Sequence, residues 1–168
     1  ESVEFRNFAI MRCLDDAMSL DTKNSHVWIH NMDLFYGKKG SAADQAKGDG
    51  TVDIKGDSKY VTVAYNRFWD NGKASMCGMK SETGENWITY HHNWFDHSDS
   101  RMARVRTMSV HMYNNYYQHC DVYGIGATSG SSIFMESNYF DAVKRPIMSS
   151  LQGTDAKGEV LSLVRKVV

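Results

Sequence analysis

The chain has 168 residues, with 19 Lys plus Arg against 20 Asp plus Glu, a formal charge of −1. At 42% hydrophobic and 23% charged it is too apolar for a disordered chain, and its near-neutral balance argues against a general nucleic-acid binder. One Pro and 13 Gly exclude collagen-like and Pro-rich sequence, and no apolar run approaches the ~20 residues of a membrane span.

The chain opens on VEFRNFAI from Val3, and this rhythm returns five times. The repeats are VWIHNMDL from Val27, VTVAYNRF from Val61, ITYHHNWF from Ile88, VHMYNNYY from Val110 and IFMESNYF from Ile133. Each begins on a β-branched residue and alternates for three or four positions, which predicts strands rather than helices. The openings lie 24, 34, 27, 22 and 23 residues apart. The last four segments carry Asn at one offset, Asn66, Asn93, Asn115 and Asn138, each followed two residues later by Phe or Tyr. Asn tolerates left-handed backbone, so one tight turn per coil would hold these Asn in that conformation. Their amides would then stack into a hydrogen-bonded ladder. One strand start and one Asn bend per unit predicts an all-β parallel β-helix of about seven coils. The longest gap, Val27 to Val61, holds GKKGSAADQAKGDG, a polar loop of the kind that carries function on a rigid scaffold.

Six groups of residues have chemical potential. Asp15-Asp16 is followed, after the long loop, by Asp49-Gly-Thr-Val-Asp53. Carboxylates brought together from adjacent coils can hold a hard cation such as Ca²⁺; apart, they are solvated turns. Lys73, taken alone, reads as a surface charge. The pair His91-His92 does not read as a chelate, because adjacent strand residues face opposite sides. In Arg101-Met-Ala-Arg104-Val-Arg106, alternation puts Arg104 and Arg106 on one face and Val105 on the other, with Arg101 in the preceding turn. Three guanidiniums suit carboxylates or phosphates. Trp28, Trp69, Trp87 and Trp94 are read as turn and core packing rather than as sugar platforms. Cys13, Cys77 and Cys120 leave open three free thiols or one disulfide with a free thiol.

Together, VWIHNMDLF, DGTVDIKGDSKYVTVAYNRF, ITYHHNWF, RMARVR and VHMYNNYY resemble the pectate lyases of polysaccharide lyase family 1, over roughly residues 1–150. The resemblance implies a secreted, monomeric, right-handed parallel β-helix enzyme that cleaves polygalacturonate by Ca²⁺-assisted β-elimination. It implies no nucleic-acid or membrane partner. Asp49 and Asp53 match two family Ca²⁺ ligands and Asp16 a third one coil earlier, with Asp15 as the alternative. Lys73 matches the lysine that grips the substrate carboxylate, Arg101 the catalytic arginine and Arg106 a second substrate-binding arginine. Arg104 falls at a supporting arginine. A guanidinium as base needs neighbouring positive charge and implies alkaline working conditions. The family's Asp-His after VWI is His30-Asn31 here, and its Pro in the Arg motif is Ala103, which loosens the turn that aims Arg101. A catalytically impaired pectate-binding β-helix is the alternative reading.

The β-helix core is expected over residues 1–158. The last ten, EVLSLVRKVV, lack the repeat's Asn and Gly and read as an atypical, non-native tail. A neighbouring reading frame of the same codons would give Gly-Thr-Phe-Ser-Gly-Glu-Lys-Gly-Gly, as a frameshift would produce. Glu1 stands first and no signal peptide precedes it, so the chain reads as processed, trimmed or a fragment lacking terminal caps.

Overall fold

The structure is a computed structural model that describes residues 2–36, 49–79, 82–83 and 85–149 in full and the backbone of 159–162. Every strand in it pairs in parallel, and three sheets run along one axis. The first sheet contains β1 (Val3–Arg6), β4 (Ser25–His30), β7 (Lys59–Ala64), β10 (Ile88–His91), β13 (Ser109–Tyr113), β16 (Ser132–Glu136) and β19 (Glu159–Ser162). The second contains β2 (Ala9–Met11), β5 (Asp33–Phe35), β8 (Arg67–Trp69), β11 (Trp94–Asp96), β14 (Tyr116–Gln118) and β17 (Tyr139–Asp141). The third contains β3 (Met18–Leu20), β6 (Val52–Ile54), β9 (Lys73–Cys77), β12 (Ser100–Arg106), β15 (Ile125–Thr128) and β18 (Ile147–Ser149). Each turn of the chain adds one strand to each sheet, so the fold is a parallel β-helix of six full coils and the first strand of the next.

The six β-branched openings fall in register: Val3, Val27, Val61, Ile88, Val110 and Ile133 stack in one row. Val160 continues that row, opposite Ile133. Two-residue alternation then sends Ile29, Val63, Tyr90, Met112 and Met135 into the core. A second row of rings fills the core below the second sheet, with Phe68, Phe95, Tyr117 and Phe140 stacked at centroid spacings of 4.8, 5.0 and 4.6 Å. These are the aromatics found two residues after each repeated Asn.

The Asn ladder exists, but not for the backbone reason given above. Asn66 Nδ2 donates to Asn93 Oδ1, Asn93 Nδ2 to Asn115 Oδ1 and Asn115 Nδ2 to Asn138 Oδ1, each at 3.0 Å. The left-handed residue is the one before each Asn: Tyr65, His92, Asn114 and Ser137, with φ of 56°, 53°, 52° and 53°. The bend therefore selects Asn for its side chain. Each amide accepts the backbone N–H of the previous ladder residue, and its second N–H goes to a carbonyl such as Val63 O from Asn93. That satisfies buried polar groups that no apolar side chain could satisfy.

The same turn corrects the reading of His91-His92. His92 lies just past β10 in the left-handed conformation, so the strand rule does not govern it, and its Nδ1 comes within 2.9 Å of His91 Nδ1. The tryptophans are also not core residues. Trp28 and Trp94 occupy outward alternates, Trp69 stacks on Phe35 at 4.1 Å, and Trp87 is 64% exposed. The coil interior is taken by the alternate row, which leaves these rings outside. All three cysteines are free thiols, with Cys77 and Cys120 buried. Of the Gly-rich loop, 37–48 lies outside the described residues, as does the tail after Ser162.

Candidate active site

The outer face of the third sheet gathers the charged residues. Asp53 sits between inward Val52 and Ile54 on β6 and so points outward, in one row with Ser19, Met76 and Arg104 of neighbouring coils. Asp16 precedes β3 one coil earlier, and Asp49 ends the long loop. Gly50 joins them: its N–H donates to Asp16 Oδ1 at 2.9 Å. A Cβ at Gly50 would lie 2.5 Å from Asp53 Oδ1 and 2.7 Å from Asp16 Oδ1, so this glycine makes room for two carboxylates. Asp15, Asp16 and Asp49 each offer an oxygen within 4.8 Å of the others. Asp15 thus joins Asp16 rather than substituting for it.

Asp53 Oδ1 is buried with no hydrogen-bond partner among the described residues. Burial, then the nearby Asp16 charge, push its carboxyl up to about 7, against the opposing charges of Lys55 and Arg101. A buried carboxylate oxygen left unpaired beside further carboxylates is a poor protein arrangement and a good one for a hard cation. Among the described residues Asp15, Asp16 and Asp49 are close enough to share a hard cation, while Asp53 stands outside that group and adjoins it across Gly50.

Two ammonium groups share these acids. Lys55 Nζ lies 3.0 Å from Asp16 Oδ2 and 3.8 Å from Asp53 Oδ2. Burial pulls the Lys55 pKa down, but the Asp16 hydrogen bond and the Asp53 and Asp16 charges outweigh it and the net shift is upward. Lys55 was missed in the sequence, although its spacing of two from Asp53 puts it on the same strand face. Lys73 opens β9, and its Nζ donates to Asp49 Oδ1 at 2.8 Å.

The guanidiniums come from the next coil. Ser100 on β12 pairs with Lys73, which sets Arg101 beside the lysine's strand. Arg101 takes φ 61°, and the register shifts between Met102 and Arg104. The peptide bond before Ala103 is cis. Beyond the bulge, Val105 is buried in the core, and Arg104 and Arg106 project from the other face as alternation predicted. Arg104 is 4% exposed, and burial followed by the charge of Arg106 lowers it to about 10. Arg106 is also lowered, by burial and then by Arg101. Tyr123, fully buried and unremarked in the sequence, neighbours all three arginines. Burial raises its phenol and the Arg101 charge opposes that. Its ring lies so close to Gly126 that a Cβ there would meet Cε2 at 2.9 Å. The site is thus an acidic cluster paired with Lys55 and Lys73, with three arginines on the coil after Lys73.

The family model described as pectate lyase matches residues 12–160. A pectate trisaccharide-lyase of Bacillus licheniformis is 32% identical over 135 residues, covering 80% of this chain and 39% of that protein. Pectate lyase C of Dickeya chrysanthemi is 33% identical over 132 residues, covering 76% of this chain and 35% of that protein. Among solved structures, a pectate lyase from Bacillus sp. N165 in complex with trigalacturonate superposes with a TM-score of 0.82 at 24% identity, over 95% of this chain and 54% of that one. Pectate lyase C from Erwinia chrysanthemi, at pH 9.5 with 30 mM Ca²⁺, gives a TM-score of 0.75 at 30% identity, over 88% of this chain and 42% of that one. The chain spans less than half the length of these two sequence relatives. It belongs to the pectate lyase family.

Proposed function

We propose that this member of the pectate lyase family cleaves α-1,4-linked polygalacturonate by β-elimination, leaving 4,5-unsaturated oligogalacturonides. The observation that carries the reading is the orphaned buried oxygen of Asp53 in an acidic cluster, set against Lys73, Arg101, Arg104 and Arg106 on the next coils. The relatives' names and the bound trigalacturonate of the Bacillus structure support the same substrate class. The action is extracellular, since the polymer lies outside cells.

Asp16, Asp49 and Asp53, with Asp15, would hold Ca²⁺. When bound there, Ca²⁺ supplies positive charge that neutralises a uronate carboxylate and stabilises the charge that builds as the neighbouring proton leaves. Lys73 leaves Asp49 to grip the same carboxylate. Arg106 and the more buried Arg104 hold the sugar by charge-assisted hydrogen bonds and fix its orientation. Arg101 takes the C5 proton. The C5–H electron pair forms the C4–C5 double bond as the C4–O bond breaks, and the glycosidic oxygen departs with its pair and takes a proton from water.

The test is ultraviolet absorbance of polygalacturonate incubated with the chain at alkaline pH, with Ca²⁺ and then with chelator. Elimination leaves a conjugated double bond that hydrolysis cannot produce. A Ca²⁺-dependent rise that is lost in Arg101→Ala supports the assignment. A folded chain that produces no rise refutes it.

A further inference from the structure

The turn that carries Lys55 to the acidic cluster continues to Lys59 and Tyr60 on another surface. There a cleft of 580 Å³ is lined by Lys23, Asp57, Lys59, Tyr60, Glu85 and Trp87, among others. Trp87 and Tyr60 are 64% and 45% exposed. Both take left-handed backbone, φ 55° and 54°, which bulky residues avoid. His26 adopts φ 56° at the same turn position one coil earlier, and its ring lies 4.9 Å from that of Tyr60. The Tyr60 N–H donates to Asn86 O at 2.8 Å, so these turns stack. Three rings thus mark one corner of three successive coils, at intervals of about 4.8 Å. The fold does not bury Trp87 or Tyr60.

We propose that this corner is a second, non-catalytic binding site for the acidic glycan. The proposal rests on the reading of polygalacturonate as the substrate. Aromatic faces stack on pyranose rings through their apolar C–H faces. The uronate carboxylates need cations, and Lys59, 5.8 Å from the Tyr60 ring, and Lys23 supply two. Of the acids in the wall, Asp57 is engaged by the Thr83 N–H and hydroxyl at 2.9 and 3.3 Å. Glu85 and Trp87 are shared with an adjoining cleft of 550 Å³, lined also by Val110, His111 and Phe134, which lengthens the surface along the axis. Because Lys55 and Lys59 bracket one turn, a chain held at this corner is kept near the acidic cluster, and its local concentration there rises.

The experiment is native electrophoresis through gels containing polygalacturonate, in chelator, with the Arg101→Ala chain as the parent so that no substrate is consumed. The parent is expected to be retarded relative to a gel without polymer. Trp87→Ala and, separately, Lys59→Glu in that background are expected to lose most of the retardation. With Arg101 intact, Trp87→Ala is expected to raise KM on the polymer roughly fivefold while leaving kcat and the rate on trigalacturonate unchanged. Retardation of both variants equal to the parent's overturns the proposal, as does a parent that is not retarded. A chain that makes no unsaturated product but is retarded through Trp87 would sink the lyase reading and leave this one standing.

Discussion

The Lys73 ammonium lies 2.8 Å from an oxygen of Asp49, so a residue read as a substrate ligand is paired with one read as a metal ligand. The two roles compete for one carboxylate. Lys73→Ala frees Asp49, and Ca²⁺ is expected to bind several-fold more tightly by calorimetry. Turnover of polygalacturonate is expected to fall by about two orders of magnitude, because the uronate loses its partner. Weaker Ca²⁺ binding in Lys73→Ala would refute the competition.

Gly50 is placed by the acids on either side of it. Its alanine variant would push a methyl group to within 2.5 Å of Asp53 Oδ1 and 2.7 Å of Asp16 Oδ1. Gly50→Ala is therefore expected to weaken Ca²⁺ binding at least tenfold, as the carboxylates are forced apart. Binding equal to the parent's would mean that these oxygens do not converge on the ion.

Asp53 makes stability and Ca²⁺ affinity depend on pH in opposite directions. Its carboxyl is raised from 3.8 to about 7, first by burial and then by the Asp16 charge. Between those values the folded chain keeps a proton that the unfolded chain has released. In chelator, stability is therefore expected to fall as pH rises from about 4 to about 7 and to level off above. Ca²⁺ needs the carboxylate, so its affinity is expected to rise across that window and then level off. Melting curves with chelator and with saturating Ca²⁺ measure both, and Asp53→Asn is expected to flatten the chelator slope. A slope that persists in that variant would assign the effect to another group.

Asn93 sits in the middle of the ladder. It accepts from the Asn66 backbone and side-chain N–H groups and donates to Val63 O and Asn115 Oδ1. Asn93→Leu leaves buried donors without acceptors and is expected to destabilise the fold by about 3 kcal/mol in denaturant melts. Asn138→Ala, at the end of the described ladder, is expected to destabilise it less. Equal losses at the two sites would mean that the ladder contributes through single contacts rather than as an array.

Much of this was legible in the chain. The β-branched openings gave strand register, because parallel stacking places equivalent residues of successive coils opposite one another. The spacing of Asn and aromatic identified one bend and one core row. Within the site, the alternation of Arg104, Val105 and Arg106 was readable from strand geometry, and Lys55 could have been read from the same rule. Tyr123 could not, since its place among the arginines depends on how the following coil stacks.

Sequence alone therefore determined the repeat, the parallel β-helix and the shared face of Arg104 and Arg106, because these follow from periods of two residues and of one coil. Tertiary structure alone decided which outward residues meet. Asp16 and Asp53 are 37 positions apart, yet both crowd Gly50. Lys73 finds Asp49 across a coil, and His92 turns toward His91 because it lies past the strand in left-handed backbone. Those contacts depend on coil stacking, loop length and turn conformation, none of which local alternation specifies.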